Sequence, residues 1–169
     1  MTHRFVGPSI GGQRNPANIE RNGGIDGSSV SGIRNLPYNF PNFYLDYHMA
    51  NTSVPVGWWR SVYSSQNAFV NECFMDELAH AAGKDPLEFR LDLLSGPPRK
   101  VKDGRTTYDT GRFKGVLELV AEKANWGSKL PDGVHRGIAA HASYHSYAAE
   151  VAEVSVGKDG SVKLHRIVC

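Results

Sequence analysis

Residues Val54–Leu94 read VPVGWWRSVYSSQNAFVNECFMDELAHAAGKDPLEFRLDLL, and the fold is decided there. A Pro-x-Gly-Trp-Trp-Arg loop runs straight into an amphipathic helix, expected from about Ser65 to Ala82. Val70, Phe74, Leu78 and Ala81 fall on one face of it, joined by Phe69, Cys73 and Ala82, a stripe wide enough to face a core. Gly83 suits the left-handed position after a helix. Asp85 then reads as an N-cap, Pro86 as a first-turn residue and Glu88 as a capping-box partner for a second helix over Pro86–Leu94. That helix buries Leu87, Leu91 and Leu94, and Ser95-Gly96-Pro97-Pro98 ends it.

Upstream, residues 1–51 are rich in Gly, Asn, Pro and Ser and read as an irregular connection. One strand stands out in it. Phe43, Leu45, Tyr47 and Met49 alternate with Tyr44, Asp46 and His48, the period of a half-buried strand. Downstream, Arg99–Thr110 is polar and reads as a surface loop, and a third helix follows over Arg112–Asn125 with Val116, Leu117, Val120 and Ala124 inward. The last third is β: Gly137–Ser143, Ala148–Val156 and Ser161–Cys169, with Asp159-Gly160 turning the final hairpin. Val154 and Val156 share a face there, with Val162 and Leu164 opposite. The expectation is an α+β fold in three stretches: an irregular connection over 1–51, a loop and helical segment over 52–127, and a β segment over 128–169 that stops inside a strand. Both ends look like mid-domain sequence, which points to a piece of a longer protein.

The chain has 169 residues, enough for one core, and a net charge of +2 offers no basic field for nucleic acid. No apolar run reaches the roughly 18 residues of a membrane span. Cys73 and Cys169 are the only cysteines, which excludes a disulfide framework or a CxxC metal site. Glu72, Asp76 and His80 line one helical stripe, and a solvated or salt-bridged face, with Arg90 as a candidate partner, explains them better than a metal site. His141, Ser143 and His145 alternate along a strand without a G-x-S-x-G elbow or further ligands, so polar residues facing a cleft or solvent explain them better than a hydrolase or zinc site. No catalytic or metal-ligating residue is assigned.

Arg60 is the best candidate for a functional residue. Its guanidinium suits planar anionic groups, Trp58 and Trp59 exclude water, and the N–H groups of Arg60 and Ser61 stand ahead of a helix start where an anion or an oxo ligand fits. An arginine packed on core tryptophans explains the same residues equally well.

The segments HRFVGPSI, LPYNFPN, Val54–Leu94, RGIAAHASYHSYAAEVAEVSV and VKLHRIVC, and above all D-E-L-A-x-x-x-G-K-D-P-L-E-F-R over Asp76–Arg90, resemble the molybdenum-binding large subunit of the xanthine dehydrogenase/aldehyde oxidase family. The similarity is greatest to the isoquinoline 1-oxidoreductase β-subunit type and covers nearly the whole chain. It implies part of a molybdenum-cofactor-binding domain in an oxidoreductase that hydroxylates aldehydes or N-heterocycles with oxygen from water. The implied cofactor is molybdopterin cytosine dinucleotide carrying Mo. The implied partners are a [2Fe–2S] small subunit and a cytochrome c subunit. Trp59, Arg60 and Ser61 then fall in the loop beside the molybdenum ligands, and Val62 stands where relatives place an aromatic against substrate. The family's catalytic glutamate and pterin-cradling loops belong to segments beyond Cys169, so the resemblance implies no activity, and no retained cofactor, for these residues alone. Such enzymes are cytoplasmic or periplasmic in bacteria, and any leader lies upstream of Met1. The rival reading is a non-catalytic interaction domain that docks a protein through Trp58-Trp59-Arg60, since Trp and Arg are common hot-spot residues.

Overall fold

The computed structural model describes residues 1–104 and 106–169. In chain order its elements are β1 (Thr2–Gly7), α1 (Ile10–Arg14), α2 (Pro16–Arg21), β2 (Tyr44–Met49), α3 (Ser64–Ala81), α4 (Pro86–Leu93), β3 (Lys100–Asp103), β4 (Thr106–Asp109), α5 (Thr110–Ala124), β5 (Val134–Ser143), β6 (Ser146–Val156) and β7 (Val162–Val168). The α+β class holds, and elements appear where the sequence reads as irregular. β1 pairs with β2 in parallel, α1 and α2 fold the glycine-rich stretch, and β3 and β4 make a hairpin of the expected surface loop. That hairpin is not wholly exposed, since it buries Val101 and Tyr108 on one face.

The final sheet is an antiparallel meander, β5-β6-β7, and α5 covers one of its faces. Phe113, Leu117, Val120 and Ala124 of α5 meet Ile138, Ala140, Ala149 and Val151 of the sheet, with Met75 of α3 completing the core. Asp109 caps α5 by accepting from Arg112 N at 3.0 Å, and Asn125 ends it in the left-handed conformation, φ +56°. α4 begins as read: the Asp85 carboxylate accepts from Leu87 N and Glu88 N, at 2.8 and 3.1 Å.

One expectation holds only in part. Leu78 of the apolar stripe of α3 packs against the core and Phe74 is half-buried, but Phe69 is 71% exposed and Val70, Cys73, Ala81 and Ala82 are exposed, while Asn67, Asn71, Glu72 and Met75 are buried. The irregular N-terminal segment is the reason. It brings backbone carbonyls that need donors, and Asn67 Nδ2 donates to Ser31 O and Asn71 Nδ2 to Gly32 O, each at 2.7 Å. Buried backbone acceptors must be satisfied, so the polar face of the helix turns inward.

The turned face also carries a buried ion cluster. Arg90 is 0% exposed; its Nε donates to Glu72 Oε2 at 3.0 Å, its Nη1 to Asp76 Oδ1 at 2.7 Å and its Nη2 to Glu72 O at 2.9 Å. Glu72 also accepts from Tyr38 Oη at 2.9 Å and from Ala140 N at 3.0 Å. One carboxylate therefore ties α3, α4, the N-terminal segment and strand β5. Burial pushes the Glu72 carboxyl up against the opposing pull of Arg90. Pairing of this stripe with Arg90 is legible in the sequence; its burial is not.

Candidate functional site

The Val54–Tyr63 loop is held from the N-terminal segment as well as from the first turn of α3. Gln13 accepts from Val56 N at 3.0 Å and donates to Val54 O at 3.3 Å, and Tyr63 Oη donates to Pro8 O at 3.2 Å. The guanidinium stacked on tryptophan belongs to Arg14, 4.6 Å from the Trp58 ring, and not to Arg60. Neither indole of the bend is a core residue: Trp58 is 52% and Trp59 85% exposed. The packed-arginine reading of this loop therefore does not describe it.

A cleft of about 380 Å³ opens beside the bend. Trp58, Val62 and Tyr63 form one wall, Asp103 and Tyr108 of the β3–β4 hairpin another, and Tyr144 closes an end. Of the residues singled out by sequence, Trp59 and Arg60 are exposed and Ser61 is half-buried, next to the cleft wall along the chain. Among the described residues neither the Arg60 N–H nor the Ser61 N–H finds an acceptor, whereas Val62 N donates to Trp59 O at 2.9 Å and Ser64 N to Ser61 O at 2.9 Å.

Backbone strain collects at the same place. Ser61 and Val62 are left-handed, φ +72° and +54°, and so are Tyr144 and His145, φ +49° and +65°. A β-branched residue in that region is an outlier, costing of order 1–3 kcal/mol, and such conformations cluster at functional sites. Tyr144 and His145 form the two-residue turn between β5 and β6, where both central residues must have positive φ. His145 thus lies in a turn, and the expected His141–Ser143–His145 row on one strand does not form.

Sequence reading does not find the far wall. Asp103 and Tyr108 fall in the stretch that reads as a surface loop, and the alternation of Val101 and Asp103 with lysines is the one local signal. His141 sits behind that wall, its pKa lowered by burial against an opposing pull from Asp103. Among the described residues no three His, Cys, Asp or Glu side chains stand close enough to hold a metal, and no helix is long and apolar enough to cross a membrane.

Comparison with known proteins bears on what the cleft serves. Residues 24–93, which carry the bend, α3 and α4, match the molybdopterin cofactor-binding domain family. The chain is 31% identical over 150 residues to a subunit of nicotinate dehydrogenase from Pseudomonas putida, covering 78% of this chain and 12% of that protein. It is 25% identical over 147 residues to the β-subunit of isoquinoline 1-oxidoreductase from Brevundimonas diminuta, covering 85% and 17% respectively. It is 38% identical over 95 residues to a membrane-bound aldehyde dehydrogenase of Gluconacetobacter polyoxogenes whose name specifies pyrroloquinoline quinone, covering 54% and 12%. The chain spans about an eighth to a sixth of the length of these curated relatives.

Proposed function

From a chain that carries molybdopterin cofactor-binding domain sequence and resembles the molybdenum-binding subunits of the xanthine dehydrogenase family, we propose that the bend at Trp59, Arg60 and Ser61 is the cofactor-contacting element of a molybdenum hydroxylase. The observation that carries this reading is the strained Ser61–Val62 backbone beside a cleft, with two N–H groups left over for an acceptor outside the chain. Preorganised donors of this kind suit an oxo ligand or phosphate oxygen.

The residues present fit one side of such a group. Trp58 offers an apolar face to the cleft, and Arg60, exposed on the same bend beside it, adds a positive charge. When bound, the molybdenum cofactor supplies the two-electron redox chemistry, and the residues of this chain orient it and exclude water. The reading extends to a molybdopterin cytosine dinucleotide, to an aldehyde or N-heterocycle as substrate, and to a [2Fe–2S] subunit with a cytochrome c subunit as electron acceptors. It takes residues 1–51 as the connection that braces the bend, 52–127 as the cofactor-side unit and 128–169 as its β support. As a fragment, these residues alone are inactive and retain no cofactor.

The test uses the complete subunit expressed with its gene neighbours. Molybdenum per subunit is measured for the wild type and for Trp59→Ala and Arg60→Ala, and a drop of roughly tenfold is expected in the variants, the scale seen when groups supporting a metal site are lost. With the cofactor removed from all three proteins their thermal midpoints should agree, because both side chains are exposed on this chain. Full molybdenum content in both variants would sink the assignment. The exposure of Trp59 favours one second reading, a protein-docking surface, in which the variants lose a partner subunit and keep their molybdenum.

A further inference from the structure

Behind the far wall of the cleft, three polar atoms are sealed from solvent without a partner among the described residues: Asn71 Oδ1, Asp103 Oδ1 and His141 Nε2. They come from α3, β3 and β5, and all three side chains line a single cavity of about 20 Å³. Asn71 and Asp103 are 4% and 7% exposed, so bulk water does not reach them.

The other atoms of these side chains fix their orientation. Asn71 Nδ2 donates to Gly32 O at 2.7 Å, and flipping the amide would set one carbonyl oxygen against another. Asp103 Oδ2 accepts from Ser31 Oγ at 2.8 Å and from Gly32 N at 2.9 Å, which leaves Oδ1 as the free acceptor. Gly32 makes both arrangements possible. Its φ is +79°, and a Cβ there would lie 3.3 Å from His141 Cε1. Burial lowers the His141 pKa against an opposing pull from Asp103, which favours the neutral ring with a single N–H.

Two oxygens that need donors and one ring nitrogen that can donate match the valence of one water. We propose that this cavity binds a single internal water, which accepts from His141 Nε2–H and donates to Asp103 Oδ1 and Asn71 Oδ1. The cavity has room for one molecule of that size and none for an organic ligand. A divalent cation fits less well, because the site offers one formal negative charge and three ligands where four or more are usual. The water joins β3 to α3 and β5. Since Asp103 also lines the cleft, it fixes the wall facing the Trp58 bend, whatever that cleft binds.

A crystal structure resolving ordered solvent is the direct test. The expected result is one density peak with three contacts of about 2.6–3.2 Å. In solution, hydrogen exchange of the Lys102 and Asp103 amides should quicken about tenfold in Asn71→Leu, with that of α5 unchanged, since local opening is set by local contacts. A cavity without density overturns the proposal, and so does a peak with anomalous signal or contacts near 2.0–2.3 Å, which marks a metal ion. Unchanged exchange in Asn71→Leu overturns the positioning role. If that variant does not fold, the wild-type density still decides.

Discussion

Arg90 shows what a single residue can and cannot disclose. Its sequence position offers it as a candidate partner for the carboxylate stripe, and in the fold it pairs with Glu72 and Asp76. Its complete burial depends on Tyr38 and Ala140, more than 45 positions away from it along the chain, and nothing local announces them. Removing one partner of a buried ion pair leaves the other uncompensated, so Arg90→Met should lower unfolding free energy by about 3–5 kcal/mol, read from a urea midpoint. The double variant Glu72→Gln/Arg90→Met should recover part of that loss, because a neutral amide needs less compensation than a stranded carboxylate. A loss in Arg90→Met under about 1 kcal/mol would mean that the pair is not desolvated. The candidate contact residues behave differently. Trp59 and Arg60 are legible as unusual residue types, while the left-handed backbone of Ser61 and Val62, their strongest link to a site, is invisible in a sequence that has no glycine there.

At the scale of elements, ends are readable and faces are not. A helix start is a local matter of one side chain and two or three N–H groups, and Asp85 performs that role at α4. It also accepts from Trp126 Nε1 at 3.0 Å, which fastens the end of α5 to the start of α4. Asp85→Ala should therefore cost about 1–2 kcal/mol, toward the upper part of the range for a lost cap. Asp85→Asn should keep most of the stability, since an amide oxygen still caps. Equal losses in the two variants, measured by denaturant unfolding, would show that the negative charge matters more than the cap. How α3 is rotated is settled by acceptors at Ser31 and Gly32, which draw Asn67 and Asn71 inward and leave Phe69 and Val70, part of the stripe that periodicity selects, outside. The β3–β4 hairpin escapes for a related reason: two strands of four residues carry too few apolar positions to show a period, and Val101 and Tyr108 are buried because α5, the N-terminal segment and strands β5 and β6 close over them.

Taken whole, the molecule covers one face of its main sheet and leaves the other open. The register pairs Val154 with Leu164 and Val156 with Val162, the partners that alternation in the sequence suggests, and Ile167 lies on the same edge strand. Val156, Val162, Leu164 and Ile167 are each more than half exposed, three of them on the strand that forms the sheet's edge. Exposed apolar side chains beside unpaired strand N–H and C=O groups are a template for association. The isolated chain should therefore self-associate as its concentration rises, seen by sedimentation velocity. Leu164→Lys/Ile167→Lys should suppress that by placing two charges on the edge strand, while changing stability by no more than about 0.5 kcal/mol per exposed site. If the doubly substituted chain associates as strongly as the wild type, the contact lies elsewhere, and the outward stripe of Phe69 and Val70 on α3 becomes the face to alter next.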